Sequence, residues 1–195
     1  MSETKIITQR LILRPFELED ASRLEILLDD ERISQMTANI PYPYPQGAAT
    51  AWILSHKLSQ DVMNSFAFAI TEKEGGQVLG AVTLVNSRST HRQAEIGYWL
   101  GSPFWNCGIM TEAVSGVLGF GFRQLSLHQI NGRVLVRNGA SGAVMTKNGF
   151  IKSRLTTHMV LHDKREELNL FYLPRWRWQK QKLSKMANFF RVSQG

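Results

Sequence analysis

Hydrophobic and polar residues alternate along several short segments of the chain, and this period of two is typical of half-buried strands. In other segments leucine, valine and alanine recur every three or four residues, which is the spacing of one helix face. The alternating segments predict seven strands, at residues 8–16, 65–71, 77–85, 93–100, 128–137, 154–162 and 166–174. The helical spacing predicts helices at 19–28, 48–58, 111–125 and 140–148, the last one ending at Gly149.

The order of these predicted elements decides the fold class. Two helices follow the first strand, and three strands come next. One helix then precedes the fifth strand, and another helix precedes the final pair of strands. Neither a β-sandwich nor a regular alternation of strands and helices has this order. The predicted fold is therefore α+β, with a mixed, mostly antiparallel sheet of six to seven strands and helices on both faces.

Length and composition indicate an ordinary globular chain. It has 195 residues, of which 43% are hydrophobic and 20% charged, enough for one domain with a substantial core. No apolar run approaches the roughly 18 residues of a membrane-spanning helix, and the first residues lack the apolar region of a signal peptide. The single cysteine, Cys107, excludes an internal disulfide framework. We therefore expect a cytoplasmic protein.

The positive charge of the chain is concentrated at its C-terminal end. The net charge is +7, and residues 174–195 contain six Lys or Arg and no acidic residue. Without those six, 17 basic residues face 16 acidic ones, so the remainder is nearly neutral. This distribution predicts a domain at 1–173 followed by a basic amphipathic tail at 174–195. It also argues against a general nucleic-acid binder.

The tail has two interpretations. If residues 175–191 are helical, one stripe of the helix carries the side chains of Trp176, Leu183, Met186, Ala187 and Phe190. A basic amphipathic helix can bind a membrane surface, anionic RNA or a partner protein. It can also dock on its own domain or on a second copy in a homodimer, and we favour docking because two tryptophans are poorly placed in a free tail.

One short segment suggests an anion-binding site. In GSPFWNCGIMTEAV, residues 101–114, a turn runs from a predicted strand into a predicted helix. Gly108 lets the backbone approach a ligand closely, and the hydroxyl of Thr111 lies in the first helical turn. The N-terminus of a helix offers unpaired N–H groups and a partial positive charge to a phosphate. The alternative is that Gly108 only permits a tight turn.

Three motifs in order change the balance between these alternatives. EIGYWL precedes the turn, W-x-x-G-x-x-TEA lies within it, and N-x-x-S-x-x-V-x-x-K-x-GF follows the next strand. Together with the opening TQRLILRPFELEDA, they resemble the GNAT N-acetyltransferases, in particular the RimJ/RimL-like group of ribosomal-protein N-terminal acetyltransferases. The resemblance covers about residues 7–173.

This resemblance implies transfer of an acetyl group from acetyl-CoA to a primary amine, by direct attack on the thioester in a ternary complex. In such folds the fourth and fifth strands, here 93–100 and 128–137, splay apart and the pantetheine arm inserts between them. Backbone groups of Tyr98 and Leu100 would bind the arm, with Asn138 on its other side. The pyrophosphate would lie on the turn, at Trp105, Asn106, Cys107, Gly108, Ile109, Met110 and Thr111.

The chain departs from the family pattern at two positions of the turn. The family usually has a basic or polar residue at the position of Cys107, and Gly or Ala at that of Met110. Backbone donors survive both changes, although Met110 is bulky. A helix N-terminus lowers the pKa of a thiol, but no companion base identifies Cys107 as a nucleophile.

Two residues are candidates for the chemistry of transfer. Glu95 stands where many family members place a base, although it could equally be a solvent-facing strand carboxylate. Many GNAT enzymes place an acidic tyrosine where this chain has Met145, and Ser141 matches the serine of the ribosomal-protein group instead. Ser141 would stabilise the leaving thiolate, or would simply be a helix-start residue. A base is dispensable if orientation alone suffices for a neutral amine.

The acceptor site is the least determined part of the prediction. The segment TANIPYPYP, residues 37–45, is expected to form a wall of the acceptor pocket, where Tyr42 and Tyr44 would stack on or hydrogen-bond the substrate. The prolines could equally stiffen a surface loop. We predict no metal, because His158 and His162 lack the companion ligands of a zinc site.

Two functional hypotheses remain from the sequence. The first is an acetyltransferase acting on a protein N-terminus or on a small amine, since polyamine and antibiotic acetylases share much of this pattern. The second is a degenerate GNAT fold that binds CoA or contacts RNA or protein without catalysis. Nucleic acid would be bound only through the basic tail.

Overall fold

A computed structural model describes residues 4–63, 65–86 and 92–192, with side chains for all of them except 57–63 and 185–192. The strands are β1 Ile6–Ile7, β2 Leu11–Arg14, β3 Ser65–Glu72, β4 Val78–Asn86, β5 Gln93–Leu100, β6 Gln129–Leu135, β7 Ile151–Leu161 and β8 Lys164–Pro174. The helices are α1 Ala21–Leu28, α2 Glu31–Ser34, α3 Ala48–Met63, α4 Ile109–Arg123, α5 Gly139–Lys147 and α6 Arg175–Val192.

The strands form one mixed sheet with the order β1-β2-β3-β4-β5-β6-β8-β7. Every neighbouring pair is antiparallel except β5 and β6, which confirms the predicted mixed, mostly antiparallel sheet. The sheet has eight strands rather than six to seven, because a two-residue strand, β1, precedes the predicted first strand at 8–16, which corresponds to β2. Thr8 lies between the two strands, where its hydroxyl accepts from the N–H of Leu11 at 3.1 Å and closes a turn.

Helices cover both faces of the sheet, which confirms the α+β prediction. On one face, α1 and α3 bury apolar residues against β3 and β4. On the other face, α4 is buried along its length, and α5 and α6 add Met145 and Trp178 to the same core. The strand alternation assigns Ala94, Ile96 and Leu100 of β5 to this second face.

The basic tail begins as a helix directly after β8. Trp178 is 7% exposed, and its ring lies 5.2 Å from that of Phe122. Arg177 donates to the carbonyl of Gly149 at 2.9 Å, so the first turns of α6 pack on the domain itself. Trp176 and Leu183 of the predicted stripe are instead 60% and 68% exposed, and the stripe residues Met186, Ala187 and Phe190 lie outside the described side chains.

The strands β5 and β6 separate along their length. They pair in parallel only at Gln93 with Gln129, Ala94 with Ile130 and Glu95 with Asn131. Both strands continue for several residues beyond these pairs without further pairing. The predicted splay between the fourth and fifth strands is therefore present, and it opens a gap in the middle of the sheet.

None of the described helices is both long enough and apolar enough to cross a membrane.

Candidate active site

The gap between β5 and β6 exposes main-chain hydrogen-bonding groups. Gly101 donates its N–H to the carbonyl of Leu79 at 2.8 Å, which fixes the hydrogen-bonding register between β4 and β5. Since main-chain groups of a strand point alternately to either side, those of Tyr98 and Leu100 point away from β4 and into the gap. The indole of Trp105 donates to the carbonyl of Leu100 at 2.7 Å. Within the described ranges, no main-chain pairing involves the N–H and carbonyl of Tyr98 or the N–H of Leu100, so these groups are available to an extended ligand.

The turn before α4 presents main-chain donors that suit an anion. Gly108 is the N-cap residue and has φ +74°, a left-handed conformation that favours glycine. It has no side chain to cap the helix, so the first three N–H groups of α4, on Ile109, Met110 and Thr111, have no partner inside the helix. These donors and the positive end of the helix fit a pyrophosphate.

A side-chain network fixes this turn to the start of the sheet. Glu112 accepts from the hydroxyl of Thr8, the N–H of Arg10 and Nε of Arg10, each at 2.7 Å. Burial raises the pKa of Glu112, but these hydrogen bonds outweigh it, so this pKa lies below its ordinary value. Arg10 also donates to the carbonyl of Cys107 at 3.1 Å, which brings a cation to the loop. The sequence analysis did not identify Arg10.

The structure accommodates both departures from the family pattern in the turn. Met110 is 7% exposed and belongs to the core under α4, which takes up its bulk. Cys107 is exposed, and its thiol donates to the carbonyl of Trp105 at 3.4 Å. Neither side chain removes the main-chain donors of the turn.

Ser141 lies in the first turn of α5, opposite β5. Its N–H donates to Oδ1 of Asn138, the N-cap residue, at 3.0 Å. The Ser141 hydroxyl lies 2.9 Å from the hydroxyl of Tyr98. The Tyr98 hydroxyl also donates to the main-chain carbonyl of Ser141 at 3.2 Å. Burial raises the pKa of Tyr98 to about 12 despite the opposing hydrogen bond of Ser141. Met145, at the usual tyrosine position, is 1% exposed and packed in the core.

Glu95 lies on the opposite face of the sheet. Arg133 of β6 donates from Nε and Nη2 to Oε1 of Glu95, at 2.9 and 2.8 Å. The second carboxylate oxygen, Oε2, has no hydrogen-bond partner among the residues with described side chains. The Glu95 side chain is 43% exposed, so Oε2 is accessible to a bound molecule.

A cavity of about 830 Å³ connects the two faces through the gap. Its α4 half is lined by Tyr98, Leu100, the turn before α4, Asn138 and Ser141. Its α1 half is lined by residues including Tyr44, Glu95, Arg133 and Arg137. All the predicted site residues except Tyr42 and Cys107 line this cavity. The structure thus brings together residues that are far apart in the sequence.

The two predicted tyrosines diverge in position. Tyr44 lines the α1 half, and burial, with a smaller contribution from the carboxylate of Glu25, raises its pKa. The N–H of Tyr44 donates to Asp29 at 3.0 Å, which fixes the loop at that point. Tyr42 is 51% exposed and lines a separate surface depression. Only Tyr44 is therefore placed to contact a ligand in the cavity.

The cavity is not acidic. Among the described residues that line it, Glu95 is the one acid, against the cations Arg133, Arg137 and Lys147. Arg137 pairs with Glu166 at 3.1 Å and also donates to the carbonyl of Gln35. No cluster of three or more His, Cys, Asp or Glu suited to a metal ion is found in the described part of the chain.

Comparison with known proteins gives concordant matches. A family model described as an acetyltransferase (GNAT) domain matches residues 10–151. The N-acetyltransferase p20 of Bacillus licheniformis is 30% identical over 150 residues, which cover 77% of this chain and 84% of p20.

Two solved structures show the same fold. The ribosomal-protein-S5-alanine acetyltransferase of Vibrio fischeri has a TM-score of 0.78 at 19% identity, covering 90% of this chain and 99% of that one. RimJ of Mycobacterium smegmatis, in complex with CoA-disulfide, has a TM-score of 0.77 at 20% identity, with 89% and 88% covered.

Proposed function

The chain belongs to the acetyltransferase (GNAT) family, and we propose that its acceptor is the N-terminal amine of a protein or peptide. The family reaction, transfer of an acetyl group from acetyl-CoA to a primary amine, is the activity of this chain. Family membership thus favours an enzyme over the non-catalytic binding module. The identity of the amine is the open question.

The charge of the cavity carries this proposal. A polyamine or an aminoglycoside has several positive charges, and a site for such a molecule needs several carboxylates. In the α1 half, the carboxylate of Glu95 is already paired with Arg133, and Arg137 adds a further guanidinium. An N-terminal amine has a single charge and is followed by a neutral backbone, so it suits this half better. The acceptor named for the Vibrio fischeri neighbour, a ribosomal protein, is consistent with this choice.

The two halves of the cavity divide the reaction. The pantetheine arm fits the main-chain groups of Tyr98 and Leu100, and the pyrophosphate fits the turn at Gly108. The amine enters from the α1 half, where Oε2 of Glu95 accepts its proton directly or through water. The neutral amine nitrogen then bonds to the acetyl carbon as the carbon–sulfur bond breaks, and CoA leaves as the thiolate. The nitrogen gives its surplus proton to water or to the departed thiolate, which leaves the neutral amide.

The leaving thiolate is stabilised from the opposite half. The hydroxyl of Ser141 donates a hydrogen bond to the sulfur, and the positive end of α5 favours its negative charge. Base and thiolate donor therefore lie on opposite faces of the sheet, with the reacting carbonyl in the gap between them. This arrangement lets the amine approach from the side opposite to the leaving group.

Release of free CoA thiol from acetyl-CoA tests the acceptor class. We would compare peptides with a free N-terminus, the same peptides with a blocked N-terminus, spermidine and an aminoglycoside, and locate the acetyl group by mass spectrometry. We expect acetylation of the α-amine, no reaction with blocked peptides, and kcat/KM at least tenfold lower for the polycations. Faster acetylation of spermidine or the aminoglycoside would reject the proposed acceptor class.

A further inference from the structure

The side chain of Tyr98 connects the two walls of the α4 half. Tyr98 belongs to β5, and its hydroxyl reaches the first turn of α5, 2.9 Å from the hydroxyl of Ser141. The Ser141 carbonyl is the second partner of the same hydroxyl, at 3.2 Å. The main chain of Tyr98 meanwhile faces the gap. One residue therefore contacts both the predicted path of the pantetheine arm and the serine at its end.

From this geometry we infer that Tyr98 is a positioning residue, whose hydroxyl orients the Ser141 hydroxyl toward the sulfur of CoA and strengthens it as a donor. The inference rests on the role of Ser141 in the proposed function. It assigns to the Tyr98 side chain a role that the sequence analysis gave only to its backbone.

The hydrogens of the two hydroxyls account for the effect. Before transfer the thioester sulfur is a poor acceptor, so Tyr98 can donate to the Ser141 carbonyl while Ser141 donates to Tyr98. Once the sulfur carries negative charge, Ser141 turns its hydrogen to the sulfur and Tyr98 donates to the Ser141 oxygen instead. Two hydrogen bonds in series then stabilise the thiolate, each polarising the other, and neither hydroxyl loses its proton.

Other contacts favour this arrangement. Asn138 holds the N–H of Ser141, so the serine backbone is fixed and only its hydroxyl needs to reorient. Burial keeps Tyr98 protonated, since its pKa is raised to about 12, so its hydroxyl remains a donor at neutral pH and at pH 9. Met145 is buried in the core. The usual tyrosine of the family is thus replaced by a tyrosine on the opposite wall that acts through serine.

The test measures the thiol of bound CoA and needs no acceptor amine. Calorimetry at pH 7 and pH 9 gives CoA affinity for wild type, Tyr98→Phe, Ser141→Ala and the double variant. Desulfo-CoA, which lacks the sulfur, is the matched ligand. Glu95, Arg133, Arg137 and Lys147 also line the cavity, and comparison with desulfo-CoA cancels their effect because they face both ligands.

For wild type we expect CoA affinity to rise between the two pH values by about sixfold more than desulfo-CoA affinity, which corresponds to a thiol pKa lowered by one unit from an ordinary value of about 8.5. Tyr98→Phe should remove most of this rise, and the double variant should behave as Ser141→Ala does alone. The affinity for desulfo-CoA should differ less than twofold between wild type and each variant at the same pH. An unchanged rise in Tyr98→Phe, additive losses in the double variant, or no CoA binding by wild type would each overturn the inference.

Turnover provides a second measurement. Tyr98→Phe should lower kcat about tenfold with little change in the KM for acetyl-CoA, and should have no effect in the Ser141→Ala background. Tyr172→Phe, on β8 away from the cavity, is the control for loss of a tyrosine hydroxyl, and thermal unfolding checks that all variants fold. If no amine is acetylated at all, the proposed function fails, and the CoA titration still decides the role of Tyr98.

Discussion

The two halves of the cavity are built from different parts of the protein. The α4 half offers main-chain groups: the strand edge at Tyr98 and Leu100 and the N–H groups of the turn at Gly108. The α1 half offers side chains, with Glu95 and Arg133 reaching across the gap from neighbouring strands. The first half depends on conformation, whereas the second depends on residue identity.

This difference explains how the chain departs from its family while keeping the main-chain donors of the proposed phosphate site. Cys107 and Met110 change side chains in the α4 half, but the donors there belong to the backbone. Equivalent changes at Glu95 or Arg133 would remove the functional atoms themselves. We therefore expect acetyl-CoA binding to tolerate side-chain substitution at Cys107 and Met110, where the backbone conformation is kept, and acceptor chemistry to be sensitive to substitution at Glu95 and Arg133.

The largest expected effect follows from replacing the side chain on which the α1 half depends. Glu95→Gln removes the proton acceptor, and kcat/KM for the amine should fall about 100-fold near neutral pH, within the usual range for general bases. The KM for acetyl-CoA should stay within twofold. Steady-state rates across pH check this, and the acidic limb of the profile should disappear.

Glu167→Gln is the matched control for that substitution, since it makes the same chemical change at an exposed position of β8 that does not line the cavity. A loss below threefold in Glu95→Gln, with the acidic limb in place, would mean that an oriented neutral amine attacks without a base.

Breaking the conformation of the α4 half should give the next largest effect. Gly108→Val places a β-branched residue at φ +74°, and relief of this strain, about 1–3 kcal/mol, turns the N–H groups away from the phosphate. Acetyl-CoA affinity should fall at least tenfold by calorimetry. Gly76→Val carries similar strain at φ +65° in the turn after β3 and should bind acetyl-CoA normally. Equal affinity in both variants would show that this conformation is not required.

The elements that form the α4 half could be predicted from the sequence because their signals are local. The glycine before a helix, the strand that leads into it and the asparagine that caps α5 each lie within one short motif. The splay was implied by a family resemblance that rests on the same motifs. Main-chain sites of this kind depend on backbone conformation, which neighbouring residues largely determine.

Contacts between distant segments were not predictable in this way. Arg10 and Glu112 meet because β1 and β2 form a separate hairpin, which the alternation of residues 8–16 does not reveal. Arg133 becomes the partner of Glu95 only through the register of β5 and β6. Tyr42 and Tyr44 were equivalent as sequence, and only the folded loop distinguishes them.

A smaller effect is expected at the rim of the α1 half. Arg137 links the carbonyl of Gln35 to Glu166, and so ties the segment after α2 to β8. Arg137→Gln should loosen this link and raise the KM for the acceptor three- to tenfold, leaving acetyl-CoA affinity unchanged. Arg165→Gln, which removes an exposed arginine of β8 next to Glu166, is the control. A rise in the KM for acetyl-CoA instead would show that the two halves are not independent.

The smallest expected effect concerns the support of the α4 half. Glu112→Gln weakens the network to Arg10 and Thr8, and near neutral pH it should lower the free energy of unfolding by about 1 kcal/mol. The effect is small because the Arg10 side chain is half exposed and its charge is screened by solvent.

The effect of Glu112→Gln should also depend on pH. Since the pKa of Glu112 is lowered by folding, the ionised carboxylate stabilises the protein above its ordinary pKa of about 4.3. That contribution is lost as pH falls through the lower, folded pKa. Urea unfolding of wild type and variant at pH 7, 5 and 3.5 should therefore show a difference that shrinks on acidification, whereas the exposed Glu74→Gln should show none. A difference independent of pH would mean that packing, rather than the charge of Glu112, holds the turn in place.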